Sequence, residues 1–264
     1  MVPLVTALAR RFDAKVTILH VVESVRLSSD FAPLEHHLAT IVEELRGKLD
    51  HYHEDAFRGI TVDRDFRIGH AVDEIVDAAK TAAPGFIVMP THGRTRYREL
   101  LLGSITAGVL HDTESPVLTA AHAADLPNYA GLPRSIVCSV DLSPASAGVL
   151  AAAAQFAAGL GASLRVIHAL PSFGLAGGFA NIEWEVQAQS RRKEYAALAA
   201  EAFVAEPVEI VAGDTVNDAI LSDLDAVNAD LLIIGRGKTQ GILGRLRTGA
   251  HDLIRRSPCP VLSI

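Results

Sequence analysis

Three patterns in this chain set ligand-gripping or reactive residue types at spacings that could do chemistry. The first is PTHGRTRYRELLLGS (90–104), where Gly93 is separated by nine residues from Gly103-Ser104. Glycines let a backbone approach an anion and turn its N–H groups inward, and a hydroxyl at the mouth of the next helix adds a donor where the helix dipole already favours negative charge. The spacing points to phosphate binding, with one defect: Pro90 has no N–H to give. The second pattern is Asp141 two residues before Ser143-Pro144, a carboxylate placed to cap a helix or to meet a ligand. The third is HHLATIVEELRGKLDHYHED (36–55), with His36, His37, His51 and His53 in one stretch read as helical. Neighbours at i, i+1 and i, i+2 do not share a helix face and there is no His-Glu-x-x-His arrangement, so these read as exposed histidines rather than a metal set. No nucleophile stands in a Gly-x-Ser-x-Gly frame, and no catalytic set emerges.

Composition narrows the classes further. Of 264 residues 49% are apolar, enough to build a core as one large domain or two small ones. The net charge is −7 with Lys and Arg scattered, which leaves no electrostatic footprint for nucleic acid. Cys138 and Cys259 each sit in an apolar run, against a disulfide framework or a four-thiolate zinc site and in favour of a reducing cytosol. The opening MVPLVTALARRFDAK carries its arginines after the apolar stretch, the reverse of a secretory signal, and no apolar run is long enough to span a bilayer. A cytoplasmic protein without membrane contact is expected.

The elements that must position the glycines and the aspartate come in two copies. VTILHVV (16–22) returns as LRVIHAL (164–170), pairing His20 with His168; GHAVDEIVDAAK (69–80) returns as GDTVNDAILSDL (213–224); SPVLTA (115–120) returns as CPVLSI (259–264). In the second copy SIVCSV (135–140) predicts a buried strand, PASAGVLAAAAQFAAGLG a helix ending on glycine, and LRVIHAL the next strand. A long helix over about 181–203, a strand at VEIVAG, a helix over 215–227, a strand at LLIIG, a helix from Thr248 to about Arg256 and a closing PVLSI strand follow. The first copy carries its own long helix over 33–56. Continuous apolar strands alternating with helices mean a parallel sheet covered on both faces, a doubly wound α/β unit. The expected organisation is one unit over 1–122, a linker over 123–133 and a second unit over 134–264.

Alignment of the copies sets Met1 against Val149, so the first copy has no counterpart of Arg134–Gly148 and lacks the opening strand. That strand is central in a doubly wound sheet, and each orphaned buried N–H or C=O costs about 1–3 kcal/mol. The expectation is that the natural chain starts upstream of Met1; the alternative is that the remaining strands close up.

LHVV, VDLSPAS (140–146), IVMPTHGRTRYRELLLGS (87–104) and the closing SPVL and SPCPVL together resemble a tandem universal stress protein, over nearly the whole chain. The resemblance implies a flavodoxin-like or Rossmann-like fold of five parallel strands per unit, and pairing of the units through their last strands around Val117–Ala120 and Val261–Ile264. It also implies, for some members, ATP with magnesium held by an aspartate after the first strand, a residue after the second and a Gly-x2-Gly-x9-Gly-Ser/Thr loop after the fourth. Carried onto this chain, the first copy offers Val21, Gly93, Gly103 and Ser104, with Pro90 in the first glycine's place and no aspartate. The second offers Asp141, Ala169, Gly235, Gly237 and Thr248, with a shortened loop and Arg247 in the late glycine's place. Neither set is complete, so at most one weak or conditional ATP pocket is expected, the first copy's loop being favoured. The resemblance implies a stress-response regulator; the alternatives are a nucleotide-free scaffold for unknown protein partners and, more weakly, a slow ATP hydrolase. A homodimer is compatible with all three.

Overall fold

A computed structural model describes residues 1–23, 32–82, 85–91, 102–120, 131–172, 180–236 and 248–264. Its contacts divide the chain into two compact units: Met1–Gly85 with Asn128–Leu132, and Phe86–Pro127 with Pro133–Ile264. The repeat boundary read from the sequence lies at 123–133, whereas compactness changes at Gly85, inside the first repeat.

The smaller unit holds α1 (Val2–Phe12), β1 (Val16–Glu23), α2 (Ala32–Asp50), β2 (Val62–Gly69) and α3 (Ala71–Thr81). β1 and β2 pair in parallel from Val16↔Val62 to Glu23↔Gly69 and make a two-stranded sheet. α2 ends at Asp50, short of the helix expected to run to 56: residues 51–59 are turns, with His53 at φ 49° and Gly59 at φ 79°, a left-handed backbone that no α-helix continues through. His51 and His53 therefore lie beyond the helix that carries His36 and His37.

The larger unit begins with the end of the first repeat, β3 (Ile87–Pro90), α4 (Ser104–Asp112) and β4 (Val117–Ala120). The whole second repeat follows: β5 (Ser135–Ser139), α5 (Ser146–Leu160), β6 (Ser163–Pro171), α6 (Ala180–Ala202), β7 (Val208–Gly213), α7 (Val216–Val227), β8 (Leu231–Ile234), α8 (Thr248–Arg256) and β9 (Val261–Ser263). Its seven strands run β3-β4-β9-β8-β5-β6-β7, all parallel to their neighbours except β4 and β9, which pair antiparallel from Val117↔Ser263 to Thr119↔Val261. The order β9-β8-β5-β6-β7 is a complete doubly wound sheet with β5 at its centre.

Local chemistry explains the elements. Alanine-rich α5 stops at Gly161, whose φ of 68° lets the cap N–H return to Ala157 and Ala158. Thr215 caps α7 by accepting the Asp218 N–H. α5 packs with α6 and α7 with α8, and between them Val137, Cys138, Leu150, Ala153, Ile167, Leu224, Leu232, Ile233 and Val261 are fully buried. Burial from water pushes the Cys138 thiol up to about 12 and the Cys259 thiol to about 11, so both remain neutral core groups. Arg236, just past β8, is buried and donates to the carbonyls of Thr113, Glu114 and Ser115, tying the turn after α4 to the second repeat's sheet.

Candidate functional site

In an open α/β sheet a ligand sits outside the carboxyl ends of the strands, where the strand order reverses. In the larger unit that reversal lies between β5, which continues to β6 and β7 on one side, and β8, which neighbours it on the other. Three expected residues stand there or beside it. Asp141 follows β5, Gly235 follows β8, and Ala169 lies near the end of β6 opposite Val211. Thr248 opens α8; Gly237 and Arg247 lie outside the described residues.

The carboxylate at this reversal already has local work. Asp141 is exposed, and its Oδ1 accepts from the Ser143 N–H at 3.0 Å and from the Ser146 hydroxyl at 3.0 Å, so it organises the entry to α5. Gly235 is explained by packing: a Cβ there would stand 2.9 Å from Val149 Cγ2, a side chain of α5. Ala169 is buried, and the next side chain back on the strand is His168. His168 Nδ1 bonds to the Val140 carbonyl at 2.8 Å, which fixes that nitrogen as the donor, while Nε2 is buried with no hydrogen-bond partner among the described residues. Desolvation holds His168 below the ordinary 6.5, partly offset by the Val140 bond. The His20/His168 repetition was the sequence signal for this position, but its burial depends on β5 lying alongside. His20, on β1, instead packs its ring 5.7 Å from Phe66.

The first repeat's candidates divide between the two units. Val21 is on β1 in the smaller unit, paired with Arg67, whereas Gly103 and Ser104 open α4 in the larger one. Gly93 and Arg94, Arg96 and Arg98 lie outside the described residues. Gly103 spends its N–H on the Thr91 carbonyl at 2.9 Å, and a Cβ there would approach that same oxygen at 3.1 Å. The glycine thus closes the two ends of its loop on each other, and its amide is engaged before any anion arrives. Thr106 reinforces the closure by donating from Oγ1 to the Pro90 carbonyl. Ser104 is exposed and no acidic residue lies in the first turn of α4, so that helix end stays mildly favourable to an anion.

Val117 pairs with Ile87 and Val261 with Leu232, so counting along each strand sets Pro90 opposite Gly235 in the repeat.

Elsewhere among the described residues no group of three or more His, Cys, Asp and Glu is arranged to hold a metal ion. An open polar depression in the smaller unit is lined by Lys15, Arg64, Arg67 and the end of α3. Its cations are spoken for: Lys15 pairs with Asp63, Arg67 with Asp65 and Glu74, and Arg64 donates to the Leu49 carbonyl. No helix among the described residues is long and apolar enough to cross a membrane.

Comparison with known proteins agrees with this architecture. A model of the universal stress protein family matches residues 4–120 and 133–264. A universal stress protein of Mycolicibacterium smegmatis is 27% identical over 172 residues, covering 59% of this chain and 54% of that protein. One from Methanocaldococcus jannaschii is 32% identical over 79 residues, covering 30% of this chain and 49% of its own length. The chain thus spans about half the length of these two relatives. The crystal structure of a universal stress protein from Archaeoglobus fulgidus covers 99% of this chain and 91% of its own, with a TM-score of 0.69 and 23% identity, a likeness of fold.

Proposed function

Because the chain belongs to the universal stress protein family, in two tandem segments, we propose that it is a cytoplasmic stress-response regulator with at most one weak pocket for ATP and magnesium. The observation that carries this is the division of the two candidate sets. Asp141 and Gly235 follow, and Ala169 lies near the end of, three adjacent strands of one complete sheet, whereas Val21 and Gly103-Ser104 belong to different compact units. The geometry therefore favours the crevice between β5 and β8 over the loop before α4, which sequence spacing alone favours.

The pocket is weak for two reasons. Asp141 serves α5, and in the sequence Arg247 takes the late glycine's place. Each charged-phosphate or base contact withheld forfeits roughly 1.5–3 kcal/mol, about ten- to a hundredfold in affinity. Two such losses turn a micromolar site into one near 1 mM.

Calorimetry of the full chain with ATP and magnesium tests this. Binding near 1 mM is expected, weakened by Asp141→Asn, which keeps an acceptor for Ser143 and Ser146, and unmoved by Ser104→Ala. Binding tighter than about 10 μM, or binding lost in Ser104→Ala and kept in Asp141→Asn, overturns the assignment.

The scaffold reading has one observation of its own. Ile182 and Val186, one turn apart on α6, are 63% and 64% exposed, an apolar pair without a covering element among the described residues. Complete silence in the calorimeter favours that reading.

A further inference from the structure

The seven-stranded sheet ends at β3, and the way β3 ends it is unlike an ordinary edge. β3 and β8 are the same strand of the two repeats and hold the same register against their closing strands, Ile87↔Val117 and Leu232↔Val261. β8 has a second neighbour: β5 lies along its other side, from Ile136↔Leu231 to Ser139↔Ile234. β3 has none among the described residues. All four residues of β8 are buried, while Ile87, Val88 and Met89 are half-buried and Pro90 is exposed.

Alternate residues of a strand turn their N–H and C=O groups to opposite edges. The Ile87 N–H bonds to Pro116 and the Thr91 N–H to Ala120, so Ile87, Met89 and Thr91 face β4. Phe86 and Val88 face outward, and Val88 stands at the register of Ile233, which meets Cys138 of β5. Pro90 stands at the register of Gly235, one place beyond the last β5–β8 pair, so its missing N–H costs a ladder of that length only its terminal bond and leaves the donors of Phe86 and Val88 in place.

We propose that the outer edge of β3, at Phe86 and Val88, accepts an extended, apolar, uncharged segment in parallel, as β5 lies along β8. The repeat itself specifies the occupant: five residues with the chemistry of Ser135–Ser139, two small hydroxyls flanking Ile136, Val137 and Cys138. Backbone hydrogen bonds supply the affinity and the alternating side chains the selectivity. β1 is a second, separate case of the same kind, half-buried along most of its length where its counterpart β6 has four fully buried residues. This inference does not depend on nucleotide binding.

The probe is a synthetic peptide spanning residues 134–143, titrated into the isotope-labelled full chain, with amide exchange at Phe86 and Val88 as readout beside affinity. Within β5, Ser135, Val137 and Ser139 face β8, because Asp230 donates to the Ser135 carbonyl; Ile136 and Cys138 face β6, because the Arg134 carbonyl and the Val140 N–H bond on that side. A peptide N-methylated at Val137 is therefore expected to bind about tenfold more weakly, and one N-methylated at Ile136 to change by less than about threefold. Saturable binding with slowed exchange at Val88 and that ordering support the proposal. It is overturned if the peptide does not bind, or if methylation at Ile136 is the damaging change. It is also overturned if Val88 exchange is already slow in the peptide-free monomer, or slows with protein concentration as a dimer forms, which would assign the edge to a second copy.

Discussion

β8 and β3 carry the same kind of sequence, LLII and IVMP, pair with the same kind of partner in the same register, and end in different environments. β8 has strands on both sides and is buried throughout; β3 has one neighbour among the described residues and is half-exposed. The difference teaches that local ladders are set by local sequence, while burial is set by the next strand over. The same holds one step further out: β6, beside β5, buries His168, and β1, without such a neighbour among the described residues, leaves His20 half-exposed.

The sharpest way to break this comparison is at Gly213 and Gly69, which end β7 and β2 at equivalent places. A Cβ on Gly213 would stand 2.6 Å from the Ala219 backbone nitrogen and 2.9 Å from its Cα, so α7 itself would have to move. A Cβ on Gly69 would meet Glu74 Oε1 at 2.5 Å and Cγ at 2.9 Å, a side chain that can swing away while Arg67 keeps its 2.8 Å bond to Asp65. Gly213→Ala is expected to cost about 3 kcal/mol and Gly69→Ala less than about 1 kcal/mol. Urea unfolding checks both, with the single tryptophan, Trp184 on α6, reporting the larger unit and amide exchange in β1 and β2 the smaller one. Equal costs would mean that α3 sits as rigidly on its sheet as α7 does.

A middle-sized test uses the ion pairs. Asp223 is 8% exposed and takes Arg165 with both oxygens, at 3.1 Å to Nε and 2.8 Å to Nη2; Arg165 also reaches Glu209. In the smaller unit Arg67 meets Asp65 and Glu74, all of them about a quarter to a third exposed. Removing one partner of a buried pair strands the other charge, whereas solvent screens an open one. Arg165 is 29% exposed, so Asp223→Ala is expected to cost about 2 kcal/mol rather than the full buried-pair penalty, and Asp65→Ala under about 1 kcal/mol. Unfolding in 1 M salt should shrink the second effect more than the first.

Much of the larger unit was legible because its signals are local. The PVL strands, the alanine-rich helix with its glycine stop and the doubled His20/His168 motif each declare themselves within a few residues. The division of the first repeat was not legible at the repeat boundary, because it depends on where a strand is lacking, and β3–α4–β4 joins the larger unit through the long-range pairing of Val117–Thr119 with Val261–Ser263. The candidate site residues can be read from the sequence as types, but the bonds they make within the chain cannot. Gly103 matches a phosphate-loop glycine, yet contact with Thr91 accounts for it; Asp141 matches a ligand carboxylate, yet Ser143 and Ser146 hold it. The turn at 51–59 was missed because helical spacing continues past Asp50 while the backbone at His53 turns left-handed.

The smallest expected effect concerns the helix ends that begin the comparison of the two repeats. α1 and α5 are equivalent helices and stop alike, on a residue in the left-handed conformation whose N–H returns to a carbonyl of the last turn: Asp13 at φ 48° for α1 and Gly161 at φ 68° for α5. Glycine adopts that backbone without steric cost, whereas an aspartate there is strained by roughly 1 kcal/mol. Asp13→Gly should therefore stabilise the smaller unit and Gly161→Asp destabilise the larger one by a similar amount, about 1 kcal/mol in opposite directions. Two features can unbalance the swap. The last turn of α1 contains Arg10 and Arg11, so losing the Asp13 carboxylate removes a nearby opposite charge; the last turn of α5 contains no basic residue, so a new carboxylate at 161 meets only the negative end of the helix. The gain at Asp13 should then fall short of the loss at Gly161, and the gap should close at high salt if charge, rather than backbone strain, is its cause.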